Sequence, residues 1–206
     1  SSDLYFKLEN SNQYLMAWTT TPWTLPANVA IAVNKDLEYS LVKFEDKEVF
    51  VASEALEKVF RNEKKQALEY KVIRTVKGKE LVGKKYHPLF ENHGPNAHVV
   101  LAADFVTAED GTGIVHEAPA YGEEDYELCK KHGIPVVSIV DENGNYTSGR
   151  WQEKNIWEVN KEIAKTLVAE GVAMKVEYIQ HDYPHCHRCG TKLMYRAHPS
   201  WFMDIQ

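Results

Sequence analysis

The sequence predicts a mixed, mainly β fold: a closed or nearly closed β-barrel core with peripheral α-helices. Three observations carry this. Strand-forming runs rich in Val, Ile, Tyr, Phe and Thr crowd the first third of the chain. Only three segments have a helical signature. These fall irregularly among the strands, whereas a doubly wound sheet would need regular alternation. With 206 residues, 44% of them hydrophobic, the chain can bury one substantial core.

In chain order, strands are expected at Leu4 to Leu8, Tyr14 to Thr20, Val29 to Val33, Glu38 to Phe44, Glu48 to Ala52 and Glu69 to Val76. Further strands are expected at His98 to Ala102, Ile114 to His116, Val136 to Val140 and Ala173 to Tyr178, with Asp110-Gly111 and Asn143-Gly144 supplying turns. The first helix runs from Ser53, read as an N-cap, to about Asn62. A second runs from Glu123 to about His132, with acids at its start, Lys130 and Lys131 at its end and Gly133 as a stop. The third, Glu153 to Glu170, sets Ile156, Val159, Ile163 and Leu167 on one face and ends at Gly171.

Apolar runs such as Val29 to Val33 and Pro135 to Val140 are too short to span a bilayer, and no signal-peptide pattern opens the chain. Three cysteines are too few for a disulfide framework. A soluble, cytoplasmic protein with no membrane partner is expected. The net charge of −6 argues against gripping nucleic acid by bulk electrostatics, so any RNA contact must be local. Opening within a strand and stopping at Trp201 to Gln206, the chain reads as a piece cut from a longer protein.

Two segments carry the candidate chemistry. In Thr19-Thr20-Thr21-Pro22-Trp23-Thr24-Leu25-Pro26-Ala27-Asn28, threonines end a strand and two prolines force a turning path that leaves hydroxyl and backbone groups available. The plainer alternative is that threonine suits strands and Trp23 fills a core. In Gly111-Thr112-Gly113-Ile114-Val115-His116-Glu117-Ala118-Pro119-Ala120-Tyr121-Gly122-Glu123-Glu124-Asp125-Tyr126, a glycine turn, a short strand and a helix start follow one another. Here Asp125 could simply complement a helix dipole, and His116 could be an ordinary buried histidine. Glu117, Glu123 and Glu124 are weaker candidates, since a charged run opening a helix is usually solvated.

Both segments resemble the editing domain, also called CP1, of isoleucyl-tRNA synthetases, a class I family. The resemblance continues through Gly78-Lys79-Glu80-Leu81-Val82-Gly83 and Tyr86-His87-Pro88-Leu89-Phe90 and covers most of the chain. Related valyl and leucyl domains usually read Thr-Thr-Arg-Pro followed by an acid, whereas this chain reads Thr-Thr-Thr-Pro-Trp. The resemblance implies the synthetase editing-domain fold and hydrolysis of valine from mischarged tRNA(Ile), with valyl-adenylate as a second candidate substrate. It implies that Thr20, Thr21 and Asp125 serve catalysis, Asp125 by holding the substrate ammonium. Thr19, Trp23, Asn28 and His116 would bind substrate, with His116 and Trp23 setting pocket size and Asn28 near the adenosine. The implied partners are the tRNA(Ile) 3′ end carrying valine and the rest of the synthetase in cis. Neither His-Ile-Gly-His nor Lys-Met-Ser-Lys-Ser occurs, so ATP-dependent ligase chemistry would belong to the full-length enzyme alone.

Cys186-x-x-Cys189 has the spacing of half a zinc knuckle, and a structural site needs four ligands. By resemblance a second cysteine pair would lie elsewhere in the synthetase. No cofactor for editing is therefore expected, and zinc is a candidate only in the full-length protein. The chain divides into an editing domain, 1–180, and a knuckle-like return segment, 181–206. The rival readings are a valyl- or leucyl-type editing domain, a non-catalytic RNA-binding zinc module, suggested by Arg188 and Lys192, and a dormant insert packed on a partner.

Overall fold

Nine strands form one curled sheet, with few helices around it, in a computed structural model that describes residues 2–62, 64–109, 111–176, 184–201 and 203. β1 (Ser2–Lys7) and β2 (Gln13–Thr19) make an antiparallel hairpin with Leu4 opposite Ala17. β3 (Ala30–Val33) follows, then β4 (Glu38–Phe44), which has β5 (Lys47–Ala52) antiparallel on one side and β6 (Lys71–Lys77) antiparallel on the other. β7 (Val99–Ala102), β8 (Ile114–Glu117) and β9 (Ala173–Val176) complete the set. The order is β6-β4-β5-β2-β8-β3-β7, with β1 beside β2 and β9 beside β1.

The sheet forks at β2. Residues Gln13 to Leu15 pair in parallel with β5, while Trp18 pairs with Val115 of β8. Between the two branches the Ala52 N–H donates to the Thr112 carbonyl at 2.9 Å. This fork sets the carboxyl end of β2, where the threonines begin, beside β8.

The expected closure is not achieved: the barrel is open, a half-barrel. β6 ends the sheet with its outer side exposed. Between β7 and the end of β1 there are isolated bridges, Lys85 to Val99 and Leu8 to Tyr86, in place of a strand. The core holds Leu4, Phe6, Leu15, Met16, Ile31, Phe50 and Ile114 from the sheet and Ile156, Val159, Ile163 and Leu167 from the third helix, all buried. The side-chain alternation of strands and the helical spacing of those four residues explain which faces turn inward.

Of the expected helices, α2 (Glu123–Lys131) and α3 (Ile156–Ala169) form, and the Asn155 side chain caps α3 by accepting the Trp157 N–H at 3.1 Å. The first is shorter than expected: a 3-10 turn, Ser53–Ala55, leads into α1 (Leu56–Val59). Ser53 is not its cap, because its hydroxyl lies 2.8 Å from that of Ser40 across the sheet. Val136 to Val140 is no strand. Its Ile139 N–H donates to the Tyr121 hydroxyl, its Ile139 carbonyl accepts from Thr147, and only Val140 bridges to Tyr146. β9 agrees with its expected strand through Val176; Glu177 and Tyr178 lie outside the described residues, as does the boundary at 180/181. Among the described residues no helix is long and apolar enough to cross a membrane.

Candidate active site

Past Thr19 the chain folds into a 3-10 turn, Pro22–Ala27, whose six residues are all buried. Pro22 suits its first position, where no intrahelical N–H is needed, and α3 packs against the turn from behind. The turn returns hydroxyls inward. Thr19 Oγ1 accepts the Thr21 N–H at 3.1 Å, and Thr24 Oγ1 donates to the Thr21 carbonyl at 2.9 Å. The same Thr24 oxygen lies 3.1 Å from His116 Nε2 in a buried contact. One hydroxyl proton cannot serve both partners. With it committed to the carbonyl, the imidazole donates from Nε2 and leaves Nδ1 as a bare acceptor.

His116 stands on β8 opposite Ile31 and is 7% exposed. Burial pushes its pKa down to about 4, so the ring is neutral. Its Nδ1 is buried without a partner among the described residues. Glu117, the next residue, faces the opposite way by strand alternation. It is fully buried, and neither carboxyl oxygen has a partner among the described residues. Burial first, and the nearby carboxylates Asp125 and Glu124 second, raise its pKa well above the usual range.

Asp125 sits in the first turn of α2, half-buried, and its Oδ2 accepts the Ala118 N–H at 2.8 Å. Burial raises its pKa, and the Ala118 hydrogen bond opposes that rise. Its other oxygen, Oδ1, lies against Gly122, where any β-carbon would collide with it. Gly122 is thus required by close approach, its φ of −141° being ordinary extended backbone. Trp23 packs edge-on against Tyr121, ring centroids 5.1 Å apart, and its carbonyl accepts from the Tyr146 hydroxyl at 2.6 Å. The threonine turn and the β8–α2 segment are therefore joined by Thr24 to His116 and by Trp23 to Tyr121, while Asp125 is tied to the same wall through Ala118.

The residues expected to act fall into two groups. Thr20 and Thr21 are half-buried at the start of the turn, with Thr21 bonded to Thr19 and Thr24, Thr19 is buried, and His116 and Asp125 belong to the wall. Asn28 does not: it is 3% exposed, its amide donates to the Ala30 carbonyl at 2.9 Å, and its Oδ1 accepts from the Tyr86 hydroxyl at 2.6 Å. With both ends engaged, it staples the turn to the sheet. Trp23 is 4% exposed and shapes the wall from behind. Thr24 was missed, although its i, i+3 spacing from Thr21 places both hydroxyls on one side of a 3-10 turn. Glu117 was given too little weight, because sequence does not show which acid of a run is buried.

A cleft of about 580 Å³ adjoins this wall, between Pro119 to Glu123 on one side and Tyr195 to Pro199 on the other. The Ala197 N–H donates to the Ala120 carbonyl at 2.7 Å and pins the two together. Cys186 and Cys189 lie apart from it in a surface turn closed by Gly190 N–H to Cys186 carbonyl at 2.8 Å. The Thr191 hydroxyl, 3.2 Å from Cys189 Sγ, is the first of the contacts that lower that thiol's pKa. Among the described residues no three His, Cys, Asp or Glu side chains converge as metal ligands. Cys129 is fully buried, and burial pushes its thiol up to about 12, which suits packing rather than attack.

The open half-barrel, with its threonine turn joined to the β8–α2 segment, can be set beside known proteins. Residues 2–176 match the family model described as leucyl-tRNA synthetase, editing domain, and the chain belongs to that family of synthetase editing domains. Its curated relatives place it on the isoleucyl branch. It is 44% identical to an isoleucine–tRNA ligase of Methanocaldococcus jannaschii over 97% of this chain and 21% of that protein. It is 41% identical to that of Clostridium tetani, over 97% and 19%. The chain thus spans about a fifth of the length of these relatives. Among solved structures, that of GlLeuRS-CP1 superposes with a TM-score of 0.69 at 15% identity, covering 86% of this chain and 99% of that one. The P.knowlesi cytosolic leucyl-tRNA synthetase editing domain gives 0.62 at 12% identity, over 84% and 94%. At such identities these two speak for the fold alone.

Proposed function

We propose that this domain hydrolyses valine from mischarged tRNA(Ile), in the cytoplasm and as part of a longer synthetase. The observation that carries the reading is the buried Thr24 to His116 hydrogen bond, which makes the threonine turn and the His–Asp segment one wall in a chain of this family. A synthetic site for isoleucine cannot strongly reject valine, which lacks one methylene; isoleucyl enzymes are themselves the standard example, at about 150-fold discrimination. A second sieve that admits only the smaller side chain restores accuracy.

In this sieve His116 is the gauge. Its ring is neutral, buried and held at Nε2, so it presents a fixed edge to the substrate side chain. Asp125 meets the α-ammonium of the aminoacyl ester through Oδ1, the oxygen left over by Ala118. Thr20 and Thr21 orient the ester and the attacking water. The water oxygen adds to the ester carbonyl carbon, the bond to the ribose oxygen breaks, and that oxygen leaves with a proton. Among the described residues we place no side chain as the base for that water: the His116 ring is buried and held at Nε2, Asp125 takes the ammonium, and Glu117 faces away. The neighbouring ribose hydroxyl of the substrate therefore assists, and valyl-adenylate is a second substrate of the same pocket. A terminal 2′-deoxyadenosine ester hydrolysed at the normal rate would refute that assistance.

The test compares deacylation of valyl- and isoleucyl-tRNA(Ile) by the wild type and by His116→Ala. The wild type is expected to release valine alone and the variant to release isoleucine as well. An unchanged preference in the variant would remove His116 from the sieve, and release of neither amino acid by the wild type would count against the hydrolase reading.

A further inference from the structure

The chain is acidic overall, yet residues 58–85 hold ten of its 24 Lys and Arg and only three of its 30 Asp and Glu. This stretch contains β6, the free outer strand of the sheet. At one end of β6, Phe60 stacks between Phe44 and Tyr70, with ring centroids 4.9 and 4.8 Å apart, and so holds the turn carrying Lys64 and Lys65 beside Lys71. Along β6, Lys71 stands directly opposite Lys43 of β4, both exposed, a like-charge pair that costs stability in a sheet. Arg74 is exposed over the Phe50 ring, and Lys79 follows in the 3-10 turn Gly78–Glu80. Lys77 is paired with Glu38 at 3.4 Å, but Lys64, Lys65, Lys71, Arg74 and Lys79 have no carboxylate partner among the described residues.

Edge strands commonly carry lysine to block strand addition, and one or two would serve that purpose. Five cations without a carboxylate partner among the described residues, Lys71 and Arg74 on β6 and Lys64, Lys65 and Lys79 in the segments flanking it, with Lys71 set opposite Lys43, exceed it. We propose that the β6 edge is a docking surface for the phosphate backbone of RNA. Its neutralisation by phosphates would relieve the Lys43 and Lys71 repulsion, and confinement to one edge reconciles RNA binding with the net negative charge. The choice of RNA over another polyanion rests on the editing reading.

The experiment titrates the 206-residue chain with an RNA hairpin ending in single-stranded CCA, across a salt series. Wild type is compared with Lys64→Glu/Lys71→Glu/Lys79→Glu and with a control of equal charge change, Lys161→Glu/Lys165→Glu/Arg188→Glu, whose residues are also exposed. Circular dichroism checks that each is folded. The edge variant is expected to raise Kd at least about 10-fold at low salt and to flatten the log Kd against log salt slope by about 2, with the control near wild type. Equal weakening in both variants, or none in the edge variant, overturns the assignment. So does a polyglutamate peptide of matched charge that binds the edge as tightly as the RNA does. Asp125→Ala separates the two readings: it should bind the hairpin normally while losing deacylation, whereas the edge variant should keep its single-turnover rate at saturating tRNA.

Discussion

The threonine turn and the cysteine turn are both conspicuous in the sequence, and the molecule treats them oppositely. Pro22 to Ala27 is buried throughout, backed by α3, and bonded to His116. Residues 186–191 form a largely exposed turn in which, among the described residues, the cysteine thiols contact each other and Thr191. A short motif becomes a site when other elements fix it from several sides, and spacing by itself supplies none of that fixing.

If the contrast is real, perturbing the buried wall should cost far more than perturbing the surface turn. The largest effect concerns acid. His116 has a folded pKa near 4 against an ordinary 6.5, so its contribution is complete above pH 6.5 and is lost as pH falls from 6.5 to 4. That loss is about 3 kcal/mol at most, and a His116→Gln variant should lack it when unfolding is followed across this range. Next, Asp125→Ala should slow deacylation of valyl-tRNA about 10- to 100-fold, the worth of a charge-assisted hydrogen bond. Gly122→Ala should slow the same reaction less, by displacing the Asp125 carboxylate, with little change in melting temperature.

Glu117 gives a smaller effect of opposite sign. Its folded pKa is raised, so its stabilising contribution is complete below its ordinary 4.5 and falls away as pH rises above that value. Glu117→Gln should flatten that decline when urea unfolding is followed with rising pH. Smallest of all, Cys186→Ser/Cys189→Ser should leave deacylation and melting temperature unchanged. A large loss on that double substitution would erase the contrast between the two turns.

Much of the fold was legible because it rests on local signals. β4 spans the residues expected of it, and α3 was announced by Ile156, Val159, Ile163 and Leu167 and by its Gly171 stop. What was not legible depends on distant partners. Val136 to Val140 has strand composition, but the Tyr121 hydroxyl takes the Ile139 N–H, and Pro135 precedes the run. Barrel closure depended on a strand between β7 and β1 that residues 84–87 replace with isolated bridges. In the site, family resemblance pointed to Thr20, Thr21, His116 and Asp125, while the bond that holds Asn28 comes from Tyr86, 58 residues away. The partnership of Thr24 with His116 spans 92 residues.

The central claim is that the threonine turn and the His–Asp segment act as one site, and a double-mutant cycle measures it. Thr24→Val, His116→Gln and the double variant are compared in single-turnover deacylation of valyl-tRNA(Ile). The account predicts a coupling of about 0.5–3 kcal/mol between the two positions, as for directly bonded residues. Losses that add to within about 0.3 kcal/mol would show the two segments acting independently and would contradict it.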